Sequence, residues 1–358
     1  MKALITSGGR GTRLRPITHT NNKHLIPIAN KPMLFYALEA VADAGIKEVG
    51  VIVGSDTKNE IISALGNGSL WDINITYIEQ DEPRGLAHVV KISEPFIGKD
   101  NFIFYLGDNM IVGGVKRFIE EFEAHKPDCQ LVLASVKEPQ RFGVPEIKDG
   151  HIVSIEEKPV KPKSHYAVTG LYIYDNIIFE AVNNIKPSAR GELEISDAHQ
   201  YLLNKGKVVR YSEITGWWKD TGEPEDLLEA NRLVLDRAFE LEHRQLEGYV
   251  NDSDIAGKVI IGKNTEVINS IVRGPVIIGE NISIKDSYIG PYTSIHNNCK
   301  ISNSEVEYSI LMEECRVINV DIRIERSLLG RGASIIRCTG RPRSHRFLIG
   351  DQSRVEVV

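Results

Sequence analysis

The apolar and polar positions of this chain follow two regimes, and the change falls near residue 238. In the first regime, short apolar runs bounded by polar residues alternate with longer amphipathic ones. KALIT (2–6), EVGVIVG (48–54), NFIFYLGDN (101–109) and CQLVLASV (129–136) carry consecutive Val, Ile, Leu and Phe, as strands buried on both faces do. MLFYALEAVADAG (33–45) reads instead as a helix closed by Gly45. Alternation of this kind predicts an α/β domain, a mostly parallel sheet covered by helices. Ligands in such sheets bind beyond the carboxyl ends of the strands. Residues 8–16 and Asp108 both fall at such ends, which predicts that they share a site.

The second regime begins after a polar, acidic stretch, residues 239–257, read as a connector. From there small aliphatic residues recur every five or six positions: Ile261, Val267, Val272, Ile278, Ile284, Ile289, Ile295, Ile301, Val306, Leu311, Val317, Ile322 and Leu328. Neither a helix nor a flat strand has that spacing. A three-sided coil with one inward residue per side does, and IGKN at 261 returns as IGEN at 278, one coil later. Such hexapeptide repeats predict a parallel β-helix of about four coils, each burying its apolar row on the next. The expected organisation is therefore residues 1–238, a connector at 239–257, and the β-helix with its tail at 258–358.

Charge and composition narrow the function classes. The net charge of −6 argues against a nucleic-acid binder. No apolar run approaches the ~20 residues that span a bilayer, and the N-terminal run is too short for a signal peptide. Cys129, Cys299, Cys315 and Cys338 are scattered, which suggests neither a zinc site nor a disulfide framework. A cytoplasmic protein with no membrane partner is expected.

The candidate chemistry starts at SGGRGTRLRP (7–16), where glycines let backbone amides approach a ligand and arginines favour an anion. It is neither of the two common phosphate loops. Leu14 stands where a dinucleotide fingerprint needs its third glycine, and no Gly-Lys-Ser/Thr follows. The longer run GGRGTRLRPITHTNNKHLIPIANKPM (8–33) resembles the sugar nucleotidyltransferases, with Lys23 seven residues after Pro16. Further segments match in order: EQDEPRGLAHV (79–89), YLGDN (105–109), RFGVPEI (141–147), IEEKPVKPKSHYAVTGLYIYD (155–175), SARGELEISD (188–197) and WWKDTG (217–222). The segments at 155–175 and 188–197 resemble the glucose-1-phosphate thymidylyltransferases in particular, and a β-helical tail resembles their long form.

The resemblance implies a Rossmann-like nucleotidyltransferase domain followed by a left-handed β-helix. It also implies a reaction: dTTP and glucose 1-phosphate give dTDP-glucose and pyrophosphate by in-line displacement, assisted by Mg2+. Gly8, Gly9, Gly11 and Thr12 would cradle the nucleotide, with Gln80 and Gly85 reading its base. Arg13, Lys23 and Lys158 would be the catalytic cations, Lys158 on the sugar phosphate. Gly143, Glu157 and Val168 would hold the sugar, and Asp108 and Asp220 the metal, Asp108 also touching the nucleotide. Singly, each signal is bland: Asp108 is a turn residue, Lys23 a surface lysine, and Glu157–Lys158 an exposed charged pair. Their order and completeness carry the reading.

Two other functions stay in view, a uridylyltransferase making UDP-glucose or a UDP-amino sugar, and a non-catalytic regulatory subunit that binds nucleotide sugars. The first differs by a methyl group and a 2′-hydroxyl, and a methyl discriminates by only ~1–3 kcal/mol. The second would be expected to have lost the metal and cationic residues, which are present. His19 and His24 read as phosphate-adjacent or solvated, and His296 as a structural polar residue rather than an acyl-transfer histidine. The arginine-rich tail at 337–354 reads as a solvated basic surface or a subunit contact. The β-helix faces predict a homo-oligomer.

Overall fold

The computed structural model describes residues 1–9, 11–111, 113–238, 245–337, 345–347 and 349–356. It divides into two compact units: Met1–Arg10 with Met33–Asp220, and Gly11–Pro32 with Thr221–Val358. The segment after the first strand and the helix Pro224–Ala238 thus group with the C-terminal strands, although the sequence reading places both in the first domain.

The first unit is built on a seven-stranded sheet. Its strands are β1 (Lys2–Thr6), β2 (Glu48–Gly54), β3 (Asn74–Gln80), β4 (Phe102–Leu106), β5 (Cys129–Ser135), β6 (Tyr166–Tyr174) and β7 (Val209–Glu213), in the order β7-β5-β6-β4-β1-β2-β3. β6 runs antiparallel to both its neighbours and every other pairing is parallel, so the sheet is mixed as expected. The apolar runs form these strands because both faces are covered; Leu4, Ile52, Phe104, Leu131 and Tyr172 all lie in one core. Cross-strand pairs Phe104/Tyr172 and Phe102/Tyr174 hold β6 to β4 with ring centroids 5.6 and 5.4 Å apart.

The register decides where function can sit. β1 and β4 are paired from Lys2↔Phe102 to Thr6↔Leu106, and the Gly107 amide donates to the Thr6 carbonyl at 3.1 Å. The glycines after β1 and Asp108 after β4 therefore leave the sheet side by side. β2 and β3 end at the same edge with Gly54 paired to Gln80. Two small ribbons complete the unit: Gly143–Lys148 against His151–Glu157, and Asn109–Ile111 against Trp218–Asp220, both antiparallel.

Among the described residues, the C-terminal part of the second unit stacks seventeen short strands into three parallel sheets, the three-sided arrangement of a left-handed β-helix. The aliphatic series lines its interior, from Ile261 through Val317. Asparagines take the corners: Asn264, Asn281 and Asn298 have φ of 57°, 58° and 62°, a conformation asparagine tolerates better than most residues.

Two expectations need correction here. The ladders begin at Gln245–Leu246, inside the stretch read as connector, so there are more than five coils rather than four. The end of the inward series is also displaced. Ile322 is 55% exposed, while Val306 pairs with Ile324 and Leu311 with Leu329. This last coil is one residue longer than the period read from the sequence. The step from Val317 to Ile324 is seven residues where the step from Ile301 to Val306 is five, so the polar corner before Ile324 takes up two more, and there Arg323 binds Glu305 and Glu307.

Candidate active site

At the edge of the first unit's sheet, Gly8 leaves β1 opposite Gln80. A Cβ at position 8 would come 3.9 Å from Gln80 Oε1, so only bare backbone faces that amide. The other side of the amide is fixed, because Gln80 Nε2 donates to His88 Nδ1 at 3.1 Å. That bond needs a neutral imidazole, and burial followed by the Arg84 charge holds the His88 pKa below its usual range. Gln80 is thereby oriented with its carbonyl oxygen toward Gly8, an acceptor suited to an imide N–H.

Gly85, just before the helix Leu86–Ile92, has φ 95° and ψ 170°, a conformation reserved almost wholly to glycine. A Cβ there would lie 2.5 Å from the Leu193 carbonyl oxygen. The close approach is bonded on both sides: Leu193 N–H donates to Arg84 O at 2.8 Å and Ala87 N–H to Leu193 O at 3.1 Å.

The predicted sugar-side residues come together around Glu157. Gly143 is its cross-strand partner, and a Cβ on Gly143 would meet Ser196 Oγ at 2.7 Å, Glu157 Oε2 at 3.4 Å and Val168 Cβ at 3.7 Å. Ser196 Oγ donates to Glu157 Oε2 at 2.7 Å. The other oxygen faces two cations, Arg190 at 3.5 Å and Lys158 at 3.7 Å. Arg190 is itself anchored to Glu194 at 2.9 Å. The Glu157 carboxylate is thus fixed in direction while its side chain remains 22% exposed. Ser196 and Arg190 were missed by residue-level reasoning, although both lie in the segment 188–197 that carried part of the resemblance.

The third group is carboxylic. Asp108 follows β4, and the next residue, Asn109, pairs in register with Asp220. Asn109 is the organiser of this corner: its Nδ2 donates to Asp108 Oδ1 at 3.0 Å, and its Oδ1 accepts from Trp218 Nε1 at 2.6 Å and from the Gly170 amide at 3.3 Å. The Tyr172 phenol reports how these groups converge. It is held far above its usual pKa, first by burial and then by Glu157, Asp108, Cys129 and Asp220. The charges of the two aspartates and Glu157 thus all act on one buried phenol. Two carboxylates suit a hard divalent cation that takes its other ligands from phosphates and water. Among the described residues no three His, Cys, Asp or Glu side chains form a metal cluster by themselves.

The remaining predicted residues lie in the second unit. Gly11 (φ 55°) begins the short 3-10 turn Thr12–Leu14, where its carbonyl accepts from Leu14 N–H at 2.9 Å and Thr18 Oγ1 at 2.7 Å. A Cβ on Gly11 would meet Lys23 Cβ at 3.1 Å, so the glycine admits the lysine stem. Arg13 lies against Gly222 and pairs with Glu223 at 3.6 Å, its side chain 61% exposed. Thr12 is exposed on the same turn. His19 is exposed; of the two readings given for His24, phosphate-adjacent or solvated, the second does not hold. His24 is buried, with its backbone N–H and Nδ1 both bonded to Asn22 Oδ1 at 2.7 and 2.9 Å.

His296 accepts from the Asn297 amide at 2.9 Å and lies 3.4 Å from Glu313, held as a structural polar residue is held. In the tail, Arg337 pairs with Asp321 and Arg354 with Glu356, while Cys338, Arg341 and Arg343 lie outside the described residues.

Comparison with known proteins gives this geometry a family. The model of the nucleotidyl transferase family matches residues 2–237. A glucose-1-phosphate thymidylyltransferase of Streptomyces griseus is 48% identical over 100% of this chain and 99% of its own. The low-salt glycan biosynthesis nucleotidyltransferase Agl11 of Haloferax volcanii is 43% identical over the whole of both chains, 100% and 100%. Among solved structures, a Bacillus anthracis protein assigned as a glucose-1-phosphate thymidylyltransferase, in complex with a sucrose, superposes with a TM-score of 0.62 and 41% identity, covering 65% of this chain and 94% of that one. The likeness spans the strands that end at Gly8 and Asp108 and the ribbon that carries Asp220, and the chain belongs to the nucleotidyl transferase family.

Proposed function

We propose that this protein transfers a thymidylyl group from dTTP to glucose 1-phosphate, releasing pyrophosphate and forming dTDP-glucose. The observation that carries the reading is the likeness along the entire chain to a glucose-1-phosphate thymidylyltransferase. The Glu157 cluster supports it: a carboxylate fixed by Ser196 and Arg190, with bare backbone at Gly143, is what a sugar hydroxyl pair needs.

In the displacement, an oxygen of the sugar phosphate forms a bond to the α-phosphorus while the bond to the pyrophosphate oxygen breaks. No covalent enzyme intermediate is required, so the chain's work is alignment and neutralisation of two anions. Gly8, Gly9, Gly11 and Thr12 give the nucleotide an approach along bare or short side chains. Gln80 Oε1 accepts the thymine imide N–H, and Gly85 keeps the base wall flat. Arg13 and Lys23 neutralise the triphosphate, and Lys158 the attacking phosphate. Removing one such group typically costs ~2–4 kcal/mol of transition-state stabilisation. Glu157, Gly143 and Val168 seat the sugar. Asp108 and Asp220 are the residues that would hold Mg2+, which when bound spreads phosphate charge onto a Lewis acid.

A cytoplasmic location and a homo-oligomeric state belong to the same reading. The first is supported by the nucleotide substrates and by Cys129, Cys299 and Cys315, free cysteines among the described residues. The second is supported by Ile335 and Ile336, which stand 37% and 47% exposed on the last strand of the β-helix.

The test is pyrophosphate release with Mg2+, pairing glucose, galactose and glucosamine 1-phosphates with dTTP, UTP, GTP, ATP and CTP. Release that needs both partners and is fastest with dTTP and glucose 1-phosphate is expected. Faster release with UTP would move the assignment to a uridylyltransferase, and silence across the panel would overturn it.

A further inference from the structure

The segment Gly11–Pro32 carries Thr12, Arg13 and Lys23, yet it has little structure of its own. Its helical content is three 3-10 turns of three residues each, Thr12–Leu14, Ile17–His19 and Lys23–Leu25. Such turns are too short to hold a conformation alone. What fixes the segment must be what it is tied to. One tie is Arg13, which rests on Gly222 and Glu223 immediately before the helix Pro224–Ala238.

A second tie is the tight hairpin that closes the segment, Pro27–Ile28 against Lys31–Pro32. Its turn residues Ala29 and Asn30 have φ of 47° and 61°. Two successive positive φ values make a turn of the primed kind, which usually calls for Asn-Gly. Alanine adopts this conformation only at a cost, so neighbouring groups must hold it there.

Those groups come from the helix Pro224–Ala238 and the β-helix. Ala29 N–H donates to Asn231 Oδ1 at 2.8 Å, and Asn30 Nδ2 donates to the Ile295 carbonyl at 2.7 Å. Asn231 lies fully buried on the helix Pro224–Ala238. Its Oδ1 also accepts from Ser294 Oγ at 2.6 Å, and its Nδ2 donates to the Tyr292 carbonyl at 3.0 Å. One amide therefore joins the hairpin turn, the helix and the coil at 292–295 of the β-helix. Around it Ala29 and Leu235 form a small apolar cluster with Ile260, Ile277 and Tyr292.

We infer that Asn231 is a positioning residue through which the β-helix holds the turn of the Gly11–Pro32 segment and so sets the affinity for the nucleotide. The inference rests on the proposed roles of Thr12, Arg13 and Lys23. It gives the second unit a part in the reaction: Gly222 and Glu223 with the helix Pro224–Ala238 that follows them splint the segment at both ends, at Arg13 and at Ala29.

The chemistry singles out asparagine. Its oxygen receives two donors and its nitrogen serves a carbonyl, so no smaller or singly functional side chain replaces it. Aspartate keeps the acceptors and loses the donor to Tyr292 O until it is protonated.

The test uses the full-length protein. Asn231→Ala is expected to raise the KM for dTTP by about tenfold or more while the KM for glucose 1-phosphate stays within about twofold. Hydrogen exchange of residues 11–32 should accelerate in the same variant, whatever substrate is supplied. Asn231→Asp should recover dTTP affinity as the pH falls and its carboxyl protonates, which a packing defect would not do. If Asn231→Ala fails to fold, Asn30→Ala removes the bond to Ile295 O from the other side and should show the same split, smaller. Unchanged exchange at 11–32 and an unchanged dTTP KM in both variants, against a wild type that turns over dTTP, would overturn the inference. A wild type inert with dTTP would instead sink the functional reading, and the exchange result alone would then decide whether Asn231 holds the turn.

Discussion

Gly143→Ala is the most informative single change, because its effect can be followed atom by atom. The new Cβ would sit 2.7 Å from Ser196 Oγ, closer than any methyl tolerates, and 3.4 Å from Glu157 Oε2. The flexible group is the serine hydroxyl, since Ser196 begins a turn of the helix Ile195–Asn204 and can rotate away. Rotation breaks its 2.7 Å bond to Glu157. A hydrogen bond to a charged group contributes ~1.5–3 kcal/mol when buried. Glu157 keeps Arg190 and Lys158 and is 22% exposed, so the loss is smaller. About 1–2 kcal/mol, or roughly 5- to 30-fold in kcat/KM for glucose 1-phosphate, is the expected effect.

The assay is steady-state pyrophosphate release at saturating dTTP, with the dTTP KM and the melting temperature measured beside it. Ser196→Ala alone should cost about as much, and Gly143→Ala should add little in that background, because the bond it breaks is already gone. A loss below about twofold from Gly143→Ala would refute the argument. So would an equal loss added on top of Ser196→Ala, since the methyl would then be acting by another route.

Three further outcomes follow from the same structure. Gly85→Ala places a side chain at φ 95° against the Leu193 carbonyl, and should destabilise the protein by about 2–4 kcal/mol in urea unfolding, a loss that Ala87→Gly would not mimic through the same contact. His199 is fully buried against Tyr174, and burial depresses its pKa from 6.5 to about 3. Between those values the unfolded chain holds the extra proton, so stability falls as pH falls, by up to about 1.4 kcal/mol per pH unit. His199→Gln should flatten that slope in urea titrations between pH 6 and 4, and an unchanged slope would rule the residue out. Ile322→Lys should cost under about 0.5 kcal/mol because Ile322 is 55% exposed, whereas Val317→Lys buries a charge in the β-helix and should prevent folding; thermal melts distinguish the two.

The parts of the fold that were legible in the sequence are those whose cause is local. Residues 2–6, 48–54 and 102–106 read as strands because a strand buried on both faces must be apolar throughout. The β-helix was legible through its period. Its first coil was overlooked because Val250 and Ile255 are lone aliphatics among acids, although each pairs with a member of the series, Val267 and Val272. Ile322 and Ile324 are both aliphatic and flank Arg323, and only the ladder to Val306 shows which of them continues the series. The burial of His24 was not legible because nothing in its own sequence neighbourhood reports it, although the Asn22 two residues before it supplies the cap.

The site divides along the same line, and the division explains its glycines. Gly85 and Gly143 were legible as motif positions, but the reasons they must be glycine lie far away in the chain, at the Leu193 carbonyl and the Ser196 hydroxyl. Both partners belong to one segment, residues 188–197, whose Arg190 also reaches Glu157 and Glu194. That segment is clamped at one end of the site by the Arg84–Leu193–Ala87 bonds and to Glu157 by Ser196 and Arg190. A single stretch of backbone therefore spaces Gly85, proposed to read the base, from the Glu157 carboxylate, proposed to seat the sugar. In a displacement whose rate depends on the alignment of two bound anions, fixing that distance is worth as much as any one contact to either of them.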